Sequence, residues 1–143
     1  MKQLKENEIK ELITTALHMA QRAYAPYSHF QVGAALLAKS GTVYTGCNIE
    51  NAAYTPTNCA ERTAFFKAVS EGEREFTAIA AVGGMNGVPK DYAGPCGVCR
   101  QVMMEFCDPE EFQIILAIDQ DHYKVCTLAE LFPYGFGPGD LAV

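Results

Sequence analysis

Three thiols and one carboxylate stand at spacings that could do chemistry. Cys96 and Cys99, in "PCGVC", lie three apart where Pro95 favours the start of a helix. Side chains at that spacing share a face, so both sulfurs can meet one ion. By itself the pair fits a redox couple, a metal site or a packed core about equally. Cys59, in "TNCAERTAFFKAV", opens a second helix, where the positive end of the helix dipole pushes a thiol toward thiolate. Three thiolates from two helix N-termini, with one coordination place left open, form the ligand set of a catalytic zinc ion, whereas a structural zinc is closed by four protein ligands. Cys47, Cys107 and Cys126 are the rival fourth ligands, although free cysteine is most often an ordinary buried thiol. Of these, Cys47, at the end of a strand, is the first to check.

Glu61 follows Cys59 by two residues. Positions i and i+2 do not share a face of a regular helix, so the pair serves one site only if Cys59 sits at the extreme N-terminus and Glu61 reaches across the first turn. Alone, a glutamate there reads as a favourable partner of the helix dipole. Its combination with "PCGVC" favours a group that works beside the ion.

The elements that must position these groups can be read from periodicity. From Glu8 to Tyr24 apolar residues recur at three and four, the mark of one helical face, with Asn7 available as N-cap. Pro26 breaks that pattern. "QVGAALLA" (31–38) and "TVYTGC" (42–47), joined by the turn "KSG", predict a hairpin. "CAERTAFFKAVSEG" reads as a helix closing at Gly72, "FTAIAAV" (76–82) as a buried strand, and "GGMNGVPKDYAG" as a long glycine-rich loop. A helix over "CGVCRQVMMEFC", a strand over "FQIILAI", a short fifth strand at "HYKVCT" and a helical turn at "LAELFP" follow. This order predicts an α/β fold in which a five-stranded mixed sheet carries helices on both faces. No repeat or linker divides the chain, so residues 1–143 are expected to form a single domain.

Composition narrows the functions. The net charge is −6, and the eleven Lys and Arg are scattered without a basic cluster, so nothing invites a phosphate backbone and no nucleic-acid partner is expected. No run of eighteen apolar residues suggests a membrane span, and the charged start "MKQLKENEIKEL" lacks the apolar core of a signal peptide. A cytoplasmic location is therefore expected, and six cysteines there are free thiols, metal ligands or reactive groups rather than disulfides.

C-A-E followed by P-C-x-x-C resembles the zinc-dependent nucleoside and nucleobase deaminases. With "YAPYSHFQVGAAL", "GCNIENAAYTPTNCAERTAFFKAVSEG" and "LAELFPYGFGPGDL" the chain is similar, over nearly its whole length, to the short, homotetrameric members of the cytidine/deoxycytidylate deaminase family. That resemblance implies a three-layer α-β-α sandwich, one Zn2+ per subunit held by Cys59, Cys96 and Cys99, and Glu61 as the proton shuttle. It implies ribose contacts from Asn48 and Glu50, a pyrimidine wall from Phe30, and a contact to the base from the amide of Ala60. Tyr54 and Phe136 would reach a neighbouring subunit's site. The implied reaction is hydrolysis of cytidine and 2′-deoxycytidine to uridine and 2′-deoxyuridine plus ammonia, in pyrimidine salvage.

Some cytidine deaminases carry His in place of the first Cys; here none of His18, His29 and His122 stands in either motif frame. Three thiolates outweigh the two charges of zinc, so a nearby cation is required. Arg62 is the candidate, because its guanidinium could donate to two sulfurs, and Arg100 is the substitute. The competing expectations are a deaminase of another cytosine compound, a nucleic-acid editing enzyme, a zinc-stabilised module with a dead site, and a CxxC redox protein.

Overall fold

The computed structural model describes residues 3–141; residues 1, 2, 142 and 143, which the single-domain expectation includes, lie outside the described residues. Among the described residues, nine helices and strands follow one another in the expected order. They are α1 (Glu6–Ala20), β1 (Phe30–Ala38), β2 (Val43–Cys47), α2 (Ala60–Ser70), β3 (Phe76–Met85), α3 (Gly97–Phe106), β4 (Gln113–Asp119), β5 (His122–Thr127) and α4 (Leu128–Leu131). A 3-10 turn at Pro138–Leu141, which the sequence pattern did not suggest, follows. The strands form one mixed sheet in the order β2-β1-β3-β4-β5, in which β3 and β4 are parallel and every other neighbour is antiparallel.

Alternation along the strands divides the core into two. Ala35, Ala78, Ala80, Val82, Ile115 and Ala117 face α1, where Ile9, Leu12, Ile13, Ala16 and Ala20 cover them. Ala34, Leu36, Ile79, Ile114 and Leu116 face the other way, against Ala60, Ala64, Phe65 and Ala68 of α2, Cys99 and Met103 of α3 and Leu128 of α4. Successive strand residues point to opposite faces, so a strand buried on both reads as an unbroken apolar run. The result is the three-layer α-β-α sandwich. No helix of the described residues is long and apolar enough to cross a membrane.

Two element ends differ from expectation. α1 starts at Glu6, with Lys5 rather than Asn7 at the cap, because the Lys5 amide donates to the Glu8 carboxylate at 3.0 Å. It stops at Ala20, and Tyr24 instead exchanges backbone bonds with the 48–50 segment, donating to Asn48 O at 3.0 Å and accepting from Glu50 N at 2.8 Å. β3 runs on to Met85, past the predicted loop start, because residues 30–32 pair with it down to Phe30↔Met85.

Small residues let the helices sit close to the sheet. A Cβ at Gly46 of β2 would lie 2.3 Å from Ala60 O and 2.7 Å from Ala64 N, which places the first turns of α2 directly on that strand. Gly46→Ala therefore cannot be absorbed without moving α2. It is expected to cost about 1–3 kcal/mol or more, as overpacking does, and to weaken zinc retention because α2 carries Cys59 and Glu61. Thermal denaturation alongside metal analysis of the purified variant checks both effects.

Candidate metal centre

Two helix N-termini meet at one place. Cys59 is the N-cap of α2 and Cys96 the N-cap of α3, both with extended backbone, and the Cys96 sulfur accepts the Cys99 amide at 3.4 Å. The sulfurs of Cys59 and Cys96 are 3.7 Å apart and those of Cys96 and Cys99 3.4 Å apart. All three lie within 4.8 Å of one another, the one such grouping of metal-binding side chains among the described residues. Cys99 is buried, Cys59 half-buried and Cys96 exposed, so the cluster has a protein side and an open side.

The rival cysteines are elsewhere. Cys47 donates from its sulfur to Arg22 O at 3.6 Å, Cys126 is buried in β5, and burial pushes the Cys107 thiol far above its ordinary range. A zinc site closed by four cysteines is thus not what the chain builds. Three sulfurs with one open approach fit a zinc ion that keeps a place for a further ligand.

The cluster's electrostatics are those of a thiolate site. A hydrogen bond from the Cys99 thiol, helped by Arg62 and Cys96, holds Cys59 well below the usual thiol range, while the same bond and burial push Cys99 up. Of these two, Cys59 is the sulfur that favours the thiolate. Arg62 Nη2 donates to the Cys59 sulfur at 3.3 Å; burial opposes its charge, but the bonds to Cys59 and Cys99 outweigh that and raise its pKa. Arg100 points away, donating through Nη1 to Leu131 O at 2.6 Å with its guanidinium 5.6 Å from the centre of the Phe132 ring. The cation at the cluster is Arg62.

Glu61 is the second residue of α2 and only 5% exposed, next to a cluster that is open to solvent. Burial pushes its carboxyl up to about 7, with the Cys59 thiolate adding to the effect and Arg62 opposing it. A carboxyl poised near neutrality can both take and give a proton there.

The remaining candidate residues fall into two groups. Asn48 and Glu50 point from one short segment toward residues 27–32. Asn48 accepts from Val32 N at 2.9 Å and donates to Phe30 O at 2.8 Å, while Glu50 accepts from the amides of Tyr27 and Ser28 at 2.9 and 3.1 Å and from the Ser28 hydroxyl. Ile49 pairs with Asn58 through bonds of 2.9 and 3.0 Å, so this segment is joined to the residue before Cys59. Phe30, 38% exposed, starts β1 beside it. Ala60 opens α2, where its amide has no acceptor within the helix. Tyr54 and Phe136 instead stand out from the chain, 72% and 57% exposed; Tyr54 meets Tyr27 edge to face at 6.2 Å, and the Phe136 carbonyl accepts from Gln101 at 2.8 Å. Ser28 and Asn58 were not foreseen. A serine two residues before Phe30, in a Pro-containing turn, was the one available signal for Ser28.

The family profile described as "Cytidine and deoxycytidylate deaminase zinc-binding region" matches residues 6–115. The chain belongs to that family. A cytidine deaminase of Sporosarcina psychrophila is 48% identical over 135 residues, covering 94% of this chain and 96% of its own. One of Halalkalibacterium halodurans is 50% identical over 130 residues, covering 91% and 95%. The crystal structure of cytidine deaminase from Burkholderia pseudomallei superposes with a TM-score of 0.80 at 45% identity, over 88% of this chain and 97% of that one. In this family the matched region binds zinc, and the three-sulfur cluster is where this deaminase-family chain would hold it.

Two measurements test the site's electrostatics. Arg62→Ala leaves the Cys59 sulfur without its cation and should weaken zinc affinity about 10–100-fold, as loss of a ligand's hydrogen-bond partner does; competition with a chromogenic chelator reads it. For Glu61, the sign of the pH dependence separates a helix-dipole partner from a buried working carboxyl. A carboxyl raised from its ordinary value of 4.5 to about 7 on folding costs stability above pH 7, and that cost disappears as pH falls through 7 to 4.5. In protein stripped with a chelator, Glu61→Gln should be more stable than the parent at pH 8 and lose that advantage near pH 5. A variant less stable than the parent at pH 8 would return Glu61 to the role of a dipole partner.

Proposed function

We propose that the chain catalyses the hydrolytic deamination of cytidine to uridine and ammonia, with zinc held by Cys59, Cys96 and Cys99 and Glu61 moving the protons. The observation that carries this is the buried Glu61 carboxyl, two residues after Cys59 at the start of α2, beside the three-thiol cluster. When bound, zinc acidifies a water, whose pKa falls from 15.7 toward about 7 in favourable sites. The thiolate-rich donor set blunts that effect, and the guanidinium of Arg62 at 3.3 Å from the Cys59 sulfur offsets part of the excess charge.

Glu61 accepts the proton of the attacking water and delivers it to N3 of cytosine as oxygen adds to C4. It then takes the proton of the new C4 hydroxyl and passes it to the amine as the C4–N4 bond breaks and the C4 carbonyl forms, so one water is consumed and one ammonia leaves. Positioned proton transfer of this kind contributes about 10²–10⁴-fold. The amide of Ala60 contacts the base, Phe30 walls the pyrimidine, and Asn48 and Glu50 take the ribose hydroxyls. 2′-Deoxycytidine is a second substrate, and free cytosine reacts far more slowly because it leaves those polar groups unpaired.

The same proposal includes a homotetramer with one Zn2+ per subunit, in which Tyr54 and Phe136, both exposed on the single chain, complete a neighbour's site. It places the enzyme in the cytoplasm, in pyrimidine salvage. The acidic composition supports a free nucleoside over a nucleic-acid substrate.

Ammonia release from cytidine by zinc-assayed protein, beside a Glu61→Gln variant, is the test. The parent should be active, and the variant zinc-replete with turnover lowered at least about 10²-fold. Zinc-replete parent protein that released no ammonia from cytidine would overturn the substrate assignment.

A further inference from the structure

Ser28 lies outside the thiol cluster and carries none of the roles given above, yet its hydroxyl is used twice. It donates to Glu50 Oε2 and accepts from the Phe30 amide at 3.0 Å. Its own amide, with that of Tyr27, donates to Glu50 Oε1. Asn48 closes the same unit from the other side, spanning the Phe30 carbonyl and the Val32 amide. A single hydroxyl therefore joins the carboxylate of Glu50 to the backbone of Phe30, the residue that starts β1.

A carboxylate offers about four acceptor positions. Three of them on Glu50 are filled by Tyr27, Ser28 and the Ser28 hydroxyl, and the fourth is on Oε2, the oxygen that Ser28 fixes. The bond to the Ser28 hydroxyl, with the two amides, also holds the Glu50 carboxyl below the usual range, so it stays ionised and can accept but not donate. Such a group accepts from a donor such as a hydroxyl and cannot pair with a group that only accepts. Without Ser28, the rotatable side chain of Glu50 would have to be ordered when ligand binds, which costs affinity.

Resting on the nucleoside substrate proposed above, we infer that Ser28 is a positioning residue for sugar recognition: it pre-aims Glu50 at the sugar hydroxyl. Its hydrogen bonds go to Glu50 and Phe30 and to none of Cys59, Cys96 and Cys99. Its loss is felt in binding of the sugar, and not in the chemical step or in binding of the bare base.

The experiment is steady-state ammonia release by the zinc-loaded protein from cytidine, with free cytosine as a competitive inhibitor, for the parent, Ser28→Ala and Ser28→Thr. A hydrogen bond to a charged group sets the scale, so Ser28→Ala should raise the KM for cytidine about tenfold. Turnover, zinc content and the inhibition constant of cytosine should stay at parental values, and Ser28→Thr, which keeps the hydroxyl, should recover the parental KM. An unchanged KM in Ser28→Ala would overturn the inference, as would cytosine inhibition that weakens in step with KM, since that would mean general loosening of the pocket. Should Ser28→Ala not fold, Ser28→Cys, with its weaker donor, carries the same comparison. A parent inert toward cytidine would overturn the proposed function and this inference together, whereas an active parent with a negative variant overturns the inference alone.

Discussion

Everything at this site answers to one electrostatic constraint: three sulfurs and a carboxyl, each able to carry negative charge, are gathered at one partly buried spot. The sulfurs fit within 4.8 Å of one another, and Glu61 is almost wholly buried beside them. Left alone, such a set protonates or repels itself apart. The chain answers with two helix N-termini, whose unpaired amides and dipoles favour negative charge, and with one guanidinium bonded to Cys59. A divalent cation is the remaining and largest compensation, which is why the donor set is also a metal-binding set.

The fold's topology follows from the need to bring two helix starts together. α3 is the crossover between the parallel strands β3 and β4, so it starts beyond the C-terminal end of β3. Crevices at strand C-termini are where open α/β sheets place their ligands. α2 reaches the same end because Gly46 lets its first turns settle directly on β2, and the backbone pairing of Ile49 with Asn58 fixes the approach to Cys59. Neither helix could be moved by the width of a methyl group without separating Cys59 from Cys96. The alanine-rich packing of the sheet thus bears on the metal as well as on stability.

Much of this was legible in the residues, and the failures have physical causes. The i, i+3 spacing of Cys96 and Cys99 after Pro95 is a local rule, and local rules located both helix starts and all five strands. What stayed hidden depended on partners distant in sequence. Tyr24 continues the helical period of α1, yet its backbone is claimed by the 48–50 segment. Gly83 and Gly84 read as loop, but residues 30–32 pair with them and extend β3. Which of six cysteines would converge also lay beyond spacing alone; Cys47 ends a strand near α2, yet its sulfur turns to Arg22. Arg62 over Arg100 could be argued from the charge problem, but the deciding fact is that Leu131 and Phe132 already hold Arg100.

The metal cluster and the Asn48–Glu50 segment are mechanically one object. From Ile49 the chain bonds across to Asn58, whose side chain donates to Thr63 on α2, and Thr63 in turn bonds to the Cys59 carbonyl. On its other side the same segment holds residues 27–32 through Asn48 and Glu50. Few freely rotating bonds separate the groups that would grip the sugar from those that would hold the ion. Placing reacting groups within a fraction of an ångström is where much of an enzyme's advantage arises. A short path of hydrogen bonds anchored on the backbone achieves that more reliably than packing of flexible side chains alone, because the backbone has only two soft dihedrals per residue. The cost is a carboxylate and a serine spent on holding the loop, and that cost makes sense only if the loop's position matters to what binds there.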